Sequence, residues 1–557
     1  MAASTNAQSK RLSIPEFFRG KNIFITGVTG FMGKVLLEKL LRSCPEIGNC
    51  YVLVRPKKGV QPRDRVKDIF NSKLFEKLCE EQPGLQSKVI PISGDILEPH
   101  FGMSVEDQHR VCEDVSVVFH SAATVKFDEE LKLSVQMNVS LVHVSTAYAN
   151  CDRDQVAERV YEPPLHPRKL IDAVEWMDTE TIGALTTKLI GSRPNTYTYT
   201  KAMAESLLLE EAQGLPIAIV RPSIVGASWE EPVPGWVDNL NGPTGLLVAI
   251  GKGLLRCMHG NFHATADVVP VDIATNAMIV VAWYTAVERP STVMVYNCTT
   301  GQMNRLTWGQ VERMSHKFFM KNPCNTVARI PNPRFTVSNL RKTISLVFDH
   351  FIPAYVMDAY LRLLGRRPMF VRLQDRLWKA VRSLEFFTSH QWNFCNDNIF
   401  MLLTKLSAED KKTFPFDPRS IDWSQYMENY CLGAKQFVLK EEISELPKAR
   451  IALQSSLAHA CVQVATNPAG FEAVVCSGGL ETSSQKGDYS PFFVESLAGL
   501  GTANVPESPH ACSVLVPWTT YLFLPNFFSP VHLLLLTMHQ LCGLKDLWMQ
   551  NSLAAVL

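Results

Sequence analysis

The chain of 557 residues has almost no net charge, with 55 lysine and arginine residues against 54 aspartate and glutamate residues. This balance gives no electrostatic case for a nucleic-acid partner, because proteins that bind the phosphate backbone usually carry a basic domain or stripe. The 14 cysteines include no Cys-x-x-Cys pair, which argues against a zinc module or a disulfide framework and fits a reducing compartment. The N-terminal residues mix charged and polar side chains and do not predict a secretory signal peptide.

The chain also lacks an uninterrupted run of about 20 apolar residues, the length that a membrane-spanning helix needs. The nearest approach lies in residues 451–557, which hold two basic and six acidic residues, and 508–544 contain no Asp, Glu, Lys or Arg. Two interpretations of this tail stay open: a membrane-inserted or interfacial anchor, and a sticky, partly disordered tail or buried helix. Three prolines interrupt its apolar segment 511–543, namely Pro517, Pro525 and Pro530.

Hydrophobic residues make up 46% of the chain and charged residues 20%, which excludes a chain that is disordered throughout. Residues 21–330 alternate short apolar runs with amphipathic stretches, and several runs are apolar throughout, as in strands buried on both faces of a parallel sheet. In 31–43, leucines recur at helical spacing with charged residues opposite. This order predicts an α/β fold with a doubly wound, Rossmann-type parallel sheet. The apolar runs are 23–26, 51–54, 89–92, 115–119, 141–145 and 216–220.

Changes of pattern divide the chain into three parts. Residues 11–330 are expected to form the cofactor-binding reductase domain, and prolines near 331 mark its end. Residues 340–445 are expected to form a smaller, mainly helical domain, and 451–557 a divergent tail of low charge. Within the helical part, a helix is predicted over 353–365. Apolar side chains line one face of it, namely Val356, Ala359, Tyr360, Leu363 and Leu364.

The strand at 23–26 runs into a turn with three evenly spaced glycines and then into the helix of 31–43. Gly27 permits a tight turn, Gly30 lets the backbone approach a pyrophosphate, and Gly33 allows the helix to pack closely on the sheet. The N–H groups at the start of the helix then face the phosphates. Because it lies between a buried strand and an amphipathic helix, the triplet predicts a dinucleotide site rather than a simple turn.

The second strand ends at Arg55, with Lys57 and Lys58 nearby, where an NAD site usually offers an acidic residue. A cation there suits a 2′-phosphate, so the sequence favours NADPH, with a solvated basic loop as the alternative. The third strand ends at Asp95 and Ile96, where a short polar side chain could meet the adenine amine.

The fourth strand ends in 119–123, whose small residues, Ala122 among them, would let the chain pass close to the cofactor.

No metal site is predicted, because His259 and His263 lack a third ligand and are interpreted as loop histidines.

Tyr197 and Lys201 form a Tyr-x-x-x-Lys pair, which a helix places on one face. A lysine ammonium close to a phenol favours the phenolate and lowers a pKa near 10, so Tyr197 can give a proton to an oxygen whose carbon receives a hydride. The fifth strand ends in Ser145 and Thr146, of which only one can face the substrate. We choose Thr146 as the residue that holds the carbonyl oxygen.

Together, the motifs at 26–33, 144–150, 197–201 and 221–226 resemble an extended short-chain dehydrogenase/reductase. More narrowly, the chain resembles the fatty acyl-CoA reductases over about residues 10–450. That resemblance implies NADPH-dependent reduction of a long-chain acyl-CoA to a fatty alcohol, through a hemithioacetal and an aldehyde. It also implies attachment to the peroxisomal membrane with catalysis facing the cytosol. The stretches that carry it are 13–43, 142–151, 195–205, 221–245, 267–274 and 414–441.

By the same resemblance, Tyr197 is the catalytic acid, Lys201 its activator and a contact of the nicotinamide ribose, and Thr146 the carbonyl holder. Ser223 and Val225 lie near the nicotinamide and the substrate. The full set of expected cofactor contacts is Gly27, Thr29, Gly30, Phe31, Gly33, Arg55, Asp95, Ile96, Ala122, Lys201, Pro222, Ser223 and Val225.

The chain departs from the family between its fourth and fifth strands, which only residues 124–140 connect. A parallel crossover needs about 10–12 residues including its helix, so this connection resembles an internal deletion. It predicts lower stability or activity than a complete relative has. Two alternatives to the acyl-CoA reductase stay open: an oxidoreductase of sterols or nucleotide sugars, and a catalytically weak variant that acts through binding or membrane association.

Overall fold

The computed structural model describes residues 12–57, 59–122, 142–211 and 215–455. Within these ranges the chain forms one seven-stranded parallel sheet and three two-stranded ribbons. The strands are β1 Asn22–Thr26, β2 Cys50–Val54, β3 Val89–Ser93, β4 Val115–His120, β5 Val142–Val144, β6 Gln155–Val156, β7 Ala218–Pro222, β8 Ile224–Gly226, β9 Met258–His259, β10 Val268–Pro270, β11 Met294–Cys298, β12 Phe335–Thr336 and β13 Asn393–Phe394.

The α-helices of the described ranges are numbered in chain order. They are α1 Ile14–Phe18, α2 Phe31–Ser43, α3 Pro62–Phe70, α4 Glu76–Glu81, α5 Val105–Asp114, α6 Pro167–Trp176, α7 Thr179–Ile190, α8 Thr196–Glu211, α9 Pro243–Gly251, α10 Val271–Glu288, α11 Trp308–Lys321, α12 Asn339–Ser345, α13 Ile352–Leu363, α14 Phe370–Ser389, α15 Asp397–Lys405, α16 Ala408–Thr413 and α17 Trp423–Gly433, with a further helix over 446–455. Two π-helical segments are Leu346–Phe351 and Ala434–Val438, and 3-10 turns lie at Pro83–Lys88, Pro99–Gly102, Ala147–Asn150, Pro418–Ser420 and Ile443–Glu445.

The main sheet has the order β11-β7-β5-β4-β1-β2-β3, with all pairs parallel. The strands next to its centre are buried because helices cover both faces, which confirms the predicted doubly wound α/β fold. The apolar side of α2 packs on α10, and its leucines Leu36, Leu37, Leu40 and Leu41 are fully buried.

The region after residue 340 is mainly helical, as predicted, and it packs on the reductase part. The Tyr426 hydroxyl of α17 donates to the Ala227 carbonyl at 3.0 Å, and the Tyr430 and Thr244 hydroxyls lie 2.8 Å apart. The described residues up to Leu453 belong to one compact unit. The boundaries drawn at 330 and 340 remain predictions.

The helix predicted over 353–365 exists as α13, but its buried face differs from the apolar face read from the sequence. Leu363 and Leu364 are 86% and 50% exposed, whereas Asp358 is buried. The cause is that the Asp358 carboxylate accepts hydrogen bonds from the first backbone N–H groups of α14, at 2.8–3.0 Å. The buried side of α13 therefore consists of Ala354, Met357 and Asp358, while Leu363 and Leu364 lie outside.

Among the described residues, no helix is both long and apolar enough to cross a membrane. The connection 124–140 and the apolar segment 511–543 both lie outside the described residues. The expectations attached to them therefore stay predictions.

Candidate active site

The candidate site lies at the carboxyl ends of the central strands. The chain leaves β1 toward β2 and β3 on one side of the sheet, and β4, β5 and β7 follow on the other. The switch point between β1 and β4 is where doubly wound folds bind ligands. Every strand-end residue predicted from the sequence, from Gly27 to Ser223, therefore lies along one edge.

The turn after β1 is shaped by close approaches that only glycine allows. Gly27 has a φ of +78°, and a Cβ atom there would lie 2.7 Å from the Ala122 amide nitrogen at the end of β4. A Cβ on Gly33 would overlap the Gly27 carbonyl. The Gly30 amide donates to that same carbonyl at 2.9 Å, with Thr29 in the turn between them. The result is a cradle of bare backbone beside the sheet.

Helix α2 begins directly after this turn, and Gly30 caps it without a side chain. Its first N–H groups and its positive dipole end are therefore available to an anion such as a pyrophosphate. The Phe31 ring stacks on Trp236 with centroids 5.5 Å apart, and Lys34 is 2.6 Å from the Asp238 carboxylate. These contacts fix one wall of the cradle.

Two arginines lie at the far end of the edge, beyond β2. The Arg55 guanidinium is 62% exposed and 3.8 Å from the Asp95 carboxylate, while Arg65 of α3 donates to the Arg55 carbonyl at 2.6 Å. Ile96, next to Asp95, packs against the apolar cluster around Phe24. Arg55 and Asp95 are thus neighbours, and Arg65 adds a cation that the sequence had not singled out.

Thr146 and Tyr197 are brought together as predicted, because the Thr146 hydroxyl is close enough to the phenol to lower the Tyr197 pKa. Thr146 follows β5, and its hydroxyl also reaches the Pro222 carbonyl at the end of β7, 3.5 Å away. The Tyr148 amide donates to the Thr146 oxygen at 3.3 Å. Ser145 is buried at the same strand end.

The Lys201 ammonium is buried one helical turn after Tyr197 and donates to the Val144 carbonyl at 2.8 Å. Burial lowers the Lys201 pKa to about 8, although Glu205 opposes this shift. Burial also raises the Tyr197 pKa to about 12, and the Thr146 hydroxyl only partly offsets it. The expected lowering of the Tyr197 pKa by Lys201 is therefore wrong for this structure, because burial raises this pKa and the opposing effect comes from Thr146. Tyr197 is a neutral phenol, the form that can donate a proton.

Helix α8 carries a third functional side chain in the same line. Glu205, one turn after Lys201, forms a bidentate ion pair with Arg221 of β7, with N–O distances of 2.8 and 2.6 Å. Both side chains are completely buried. The four-residue spacing of Tyr197, Lys201 and Glu205 places Glu205 on the same helix face, but it does not predict the partner Arg221.

The residues after β7 continue the site. The Ser223 amide donates to the Cys298 carbonyl at 3.1 Å, and Val225 of β8 pairs with Val269 of β10. Val225 is half-buried. Pro222, Ser223 and Val225 thus form a continuous wall next to Thr146.

Two buried histidines behind the site were also missed. His120 and His143 stack with ring centroids 6.0 Å apart, and His120 shares a 2.8 Å contact with the Thr26 hydroxyl. Burial, and next the Lys201 charge, lower the pKa of His143 well below its ordinary range, so it stays neutral. The sequence signal that could have identified them is the position of each histidine within an otherwise apolar strand.

The donor set of the site suits a dinucleotide rather than a metal. The cradle of bare backbone, the open helix N-terminus and the edge arginines match a pyrophosphate and a phosphorylated ribose. In the part of the chain that the structure describes, no group of three His, Cys, Asp or Glu side chains could hold a metal ion.

Comparison with known proteins agrees with this geometry. Two family models, both described as "Male sterility protein", match this chain: an NAD-binding model over residues 25–278 and a Sterile model over 349–441. Fatty acyl-CoA reductase 1 of Xenopus laevis is 51% identical over 456 residues, 79% of this chain and 88% of that protein. The human reductase 1 is 48% identical over the same coverage.

The chain belongs to the fatty acyl-CoA reductase family. It is therefore an oxidoreductase that uses a nicotinamide cofactor. Fatty acyl-CoA reductase 2 of Mus musculus is 45% identical over 454 residues, 78% of this chain and 88% of that protein. The fold is also similar to the reductase domain of a non-ribosomal peptide synthetase from Mycobacterium tuberculosis, with 16% identity, a TM-score of 0.50 and coverage of 76% of this chain and 92% of that one.

The buried Lys201 predicts an alkaline limit to catalysis. Above a pH of about 8 the lysine loses its proton, and with it the charge that would stabilise the tyrosinate left by proton donation. Turnover of the wild-type chain should therefore fall as pH rises through that value. In Lys201→Arg the guanidinium stays charged, so the remaining activity should persist to higher pH. The measurement is the pH profile of kcat for both chains, and a wild-type profile that stays flat well above pH 8 would contradict this role.

Proposed function

We propose that this chain reduces a long-chain acyl-CoA thioester to the fatty alcohol, using NADPH. The observation that carries the proposal is the proximity of Tyr197 to the Thr146 hydroxyl, with the buried Lys201 one turn along the same helix. The names of its relatives, reductases of fatty acyl-CoA at 45–51% identity, support the substrate class.

The described residues offer contacts for each part of the cofactor. The turn from Gly27 to Gly33 and the start of α2 would hold the pyrophosphate. Arg55, with Arg65 behind it, would hold the 2′-phosphate, which supports NADPH over NADH. When bound, the nicotinamide supplies the hydride that reduction of a carbonyl needs.

The protein's own part in each step is proton donation and charge control. Thr146 holds the carbonyl oxygen, and Tyr197 gives its proton to that oxygen as the carbon becomes tetrahedral. The tyrosinate that results is stabilised by the Lys201 ammonium, whose own position is fixed by the Val144 carbonyl. Reprotonation of Tyr197 then restores the site.

The same residues serve a second round. The first reduction converts the thioester to a hemithioacetal, which releases CoA as its thiol and leaves an aldehyde. The aldehyde carbonyl again accepts hydride at carbon and a proton from Tyr197 at oxygen, which gives the alcohol. The mechanism needs no cysteine. Cys151, five residues after Thr146, has its pKa raised by burial to about 12, which disfavours a nucleophilic thiolate.

A small apolar cavity of about 20 Å³ lies beyond β8, which is far too small to hold a long acyl chain. Gly226 ends β8 beside the Tyr426 and Tyr430 rings of α17, and Tyr430 also faces the cavity. Its other apolar walls come from α9, β10, α11, β12 and α17, with the side chains Leu246, Leu247, Ile250, Val268, Trp308, Val311, Phe335 and Met427.

Two further parts of the proposal rest on family resemblance. We propose that the protein is attached to the peroxisomal membrane with its catalytic part in the cytosol.

The short connection 124–140 motivates a second proposal, that turnover and thermal stability are lower than in a relative with the complete connection. Equal values for both proteins in a side-by-side assay would exclude the second proposal.

Replacing Tyr197 tests the reaction directly. With palmitoyl-CoA, we expect Tyr197→Phe to lower the rate of NADPH consumption by about 10²–10⁴-fold, while NADPH binding is retained. The matched control is Tyr199→Phe, because the buried Tyr199 hydroxyl has no hydrogen-bond partner within the described structure. Equal activity of Tyr197→Phe and wild type would overturn the mechanism. Activity with sterols or nucleotide sugars, but not with acyl-CoA, would overturn the substrate class.

Replacing Arg55 tests the choice of cofactor. Removal of a charged hydrogen bond to the 2′-phosphate is worth about 1.5–3 kcal/mol, so Arg55→Ala should raise the Kd of NADPH about 10–100-fold. The Kd of NADH, which lacks the phosphate, should stay nearly unchanged. Arg63→Ala is the control, since Arg63 lies on the exposed side of α3. A parallel loss of affinity for both cofactors would show that Arg55 does not read the phosphate.

A further inference from the structure

The segment from α12 to α13 exposes an apolar stripe that nothing in the reductase chemistry uses. α12, the π-helical segment Leu346–Phe351 and α13 follow one another without a break over 339–363, a length of about 37 Å at helical rise. From Leu340 to Tyr355, large exposed apolar side chains recur on it every three or four residues, and Leu363 lies two turns further along. We name this set the apolar stripe: Leu340, Ile344, Phe348, Ile352, Tyr355 and Leu363, which are 38–86% exposed.

The side of this segment opposite the stripe buries both polar and apolar groups, namely His350, Asp358, Ala354 and Met357. His350 lies 3.3 Å from the Gln374 amide oxygen of α14, and Asp358 caps that helix. These contacts and the buried Ala354 and Met357 hold the segment against the rest of the domain, with the stripe on the outside. A contiguous exposed patch of this kind marks an interaction surface.

The surroundings of the stripe are basic. Residues 339–389 contain nine basic and four acidic residues. At one end of the stripe Arg362, Arg366 and Arg367 are exposed, and in the described part of the chain they form no ion pair. Lys342 is already occupied by Glu385 at 2.6 Å. Arg372, Arg376, Lys379 and Arg382 add an exposed basic face on the adjacent α14.

We infer that the apolar stripe and its arginines dock on an anionic lipid surface. Helices that lie in the membrane interface combine an apolar face with basic residues, and their binding grows with buried apolar area and with attraction to anionic lipids. A second copy of this chain would present the same basic surroundings, and an interface between two faces of like charge is unfavourable. Lipid satisfies both the apolar and the basic requirement.

Vesicle binding by the full chain tests this inference without cofactor or acyl-CoA, so its outcome is independent of the proposed reaction. Phosphatidylcholine vesicles with and without phosphatidylserine serve as the probe. We expect the double variant Leu340→Glu/Phe348→Glu to bind phosphatidylserine vesicles at least about tenfold more weakly. The control is Val105→Glu/Leu209→Glu, which alters exposed apolar residues elsewhere and should bind as wild type does. On vesicles that contain phosphatidylserine, Arg366→Gln/Arg367→Gln should bind about fivefold more weakly for each charge removed. On vesicles without phosphatidylserine, its binding should equal that of wild type.

Hydrogen–deuterium exchange locates the contact on the same full chain. Peptides that cover 339–367 should exchange more slowly once phosphatidylserine vesicles are added. Wild-type binding by the stripe variant, or protection confined to residues after 455, would overturn the inference and assign docking to the tail. A stripe variant that changes from dimer to monomer in sedimentation, with unchanged vesicle binding, would overturn it in favour of a second copy.

Discussion

The buried ion pair between Glu205 and Arg221 is the contact on which the geometry of the site depends. It joins helix α8, which carries the tyrosine and the lysine, to β7, whose end forms the wall of the site. Arg221 also donates to the carbonyls of Ala157 and Arg159, at 3.1 and 2.9 Å, so its donors are well satisfied. Losing one partner of such a pair costs about 3–5 kcal/mol, because a charge is left buried and alone. The pair therefore fixes α8 in one position.

The same exclusion of water that makes the ion pair costly to break also sets the chemistry. Lys201 donates to a backbone carbonyl and has Glu205 one turn away, yet burial still lowers its pKa to about 8. Tyr197 next to it remains a phenol because burial raises its pKa to about 12. In a site that excludes water, the interaction between a newly formed tyrosinate and the lysine is stronger than in water. A site of this kind donates protons readily only while a negative charge is developing on the substrate.

The sequence predicted the parts of this site that follow from local chain geometry. The buried runs of β1 and β4 and the spacing of the glycines define a strand-turn-helix unit, and Tyr197 and Lys201 share a helix face by their spacing alone. The contact of Glu205 with Arg221 and that of Arg65 with the Arg55 carbonyl could not be predicted. In both cases the partners lie on different elements and meet only in the folded chain. The prediction of which face of α13 is buried was wrong for a related reason. Asp358 is buried because its carboxylate caps the start of α14, a contact that the apolar pattern of α13 does not reveal.

The number of deuterium atoms that reach the product tests the central claim, which is that one tyrosine-centred site reduces a thioester carbonyl twice. NADPH carrying deuterium at the transferable C4 position is supplied with palmitoyl-CoA, and the hexadecanol formed is analysed by mass spectrometry. The account predicts alcohol with both C1 hydrogens replaced by deuterium, formed by wild type and by Tyr199→Phe but not by Tyr197→Phe. Alcohol with a single deuterium, or the doubly labelled product from Tyr197→Phe at the wild-type rate, would contradict it.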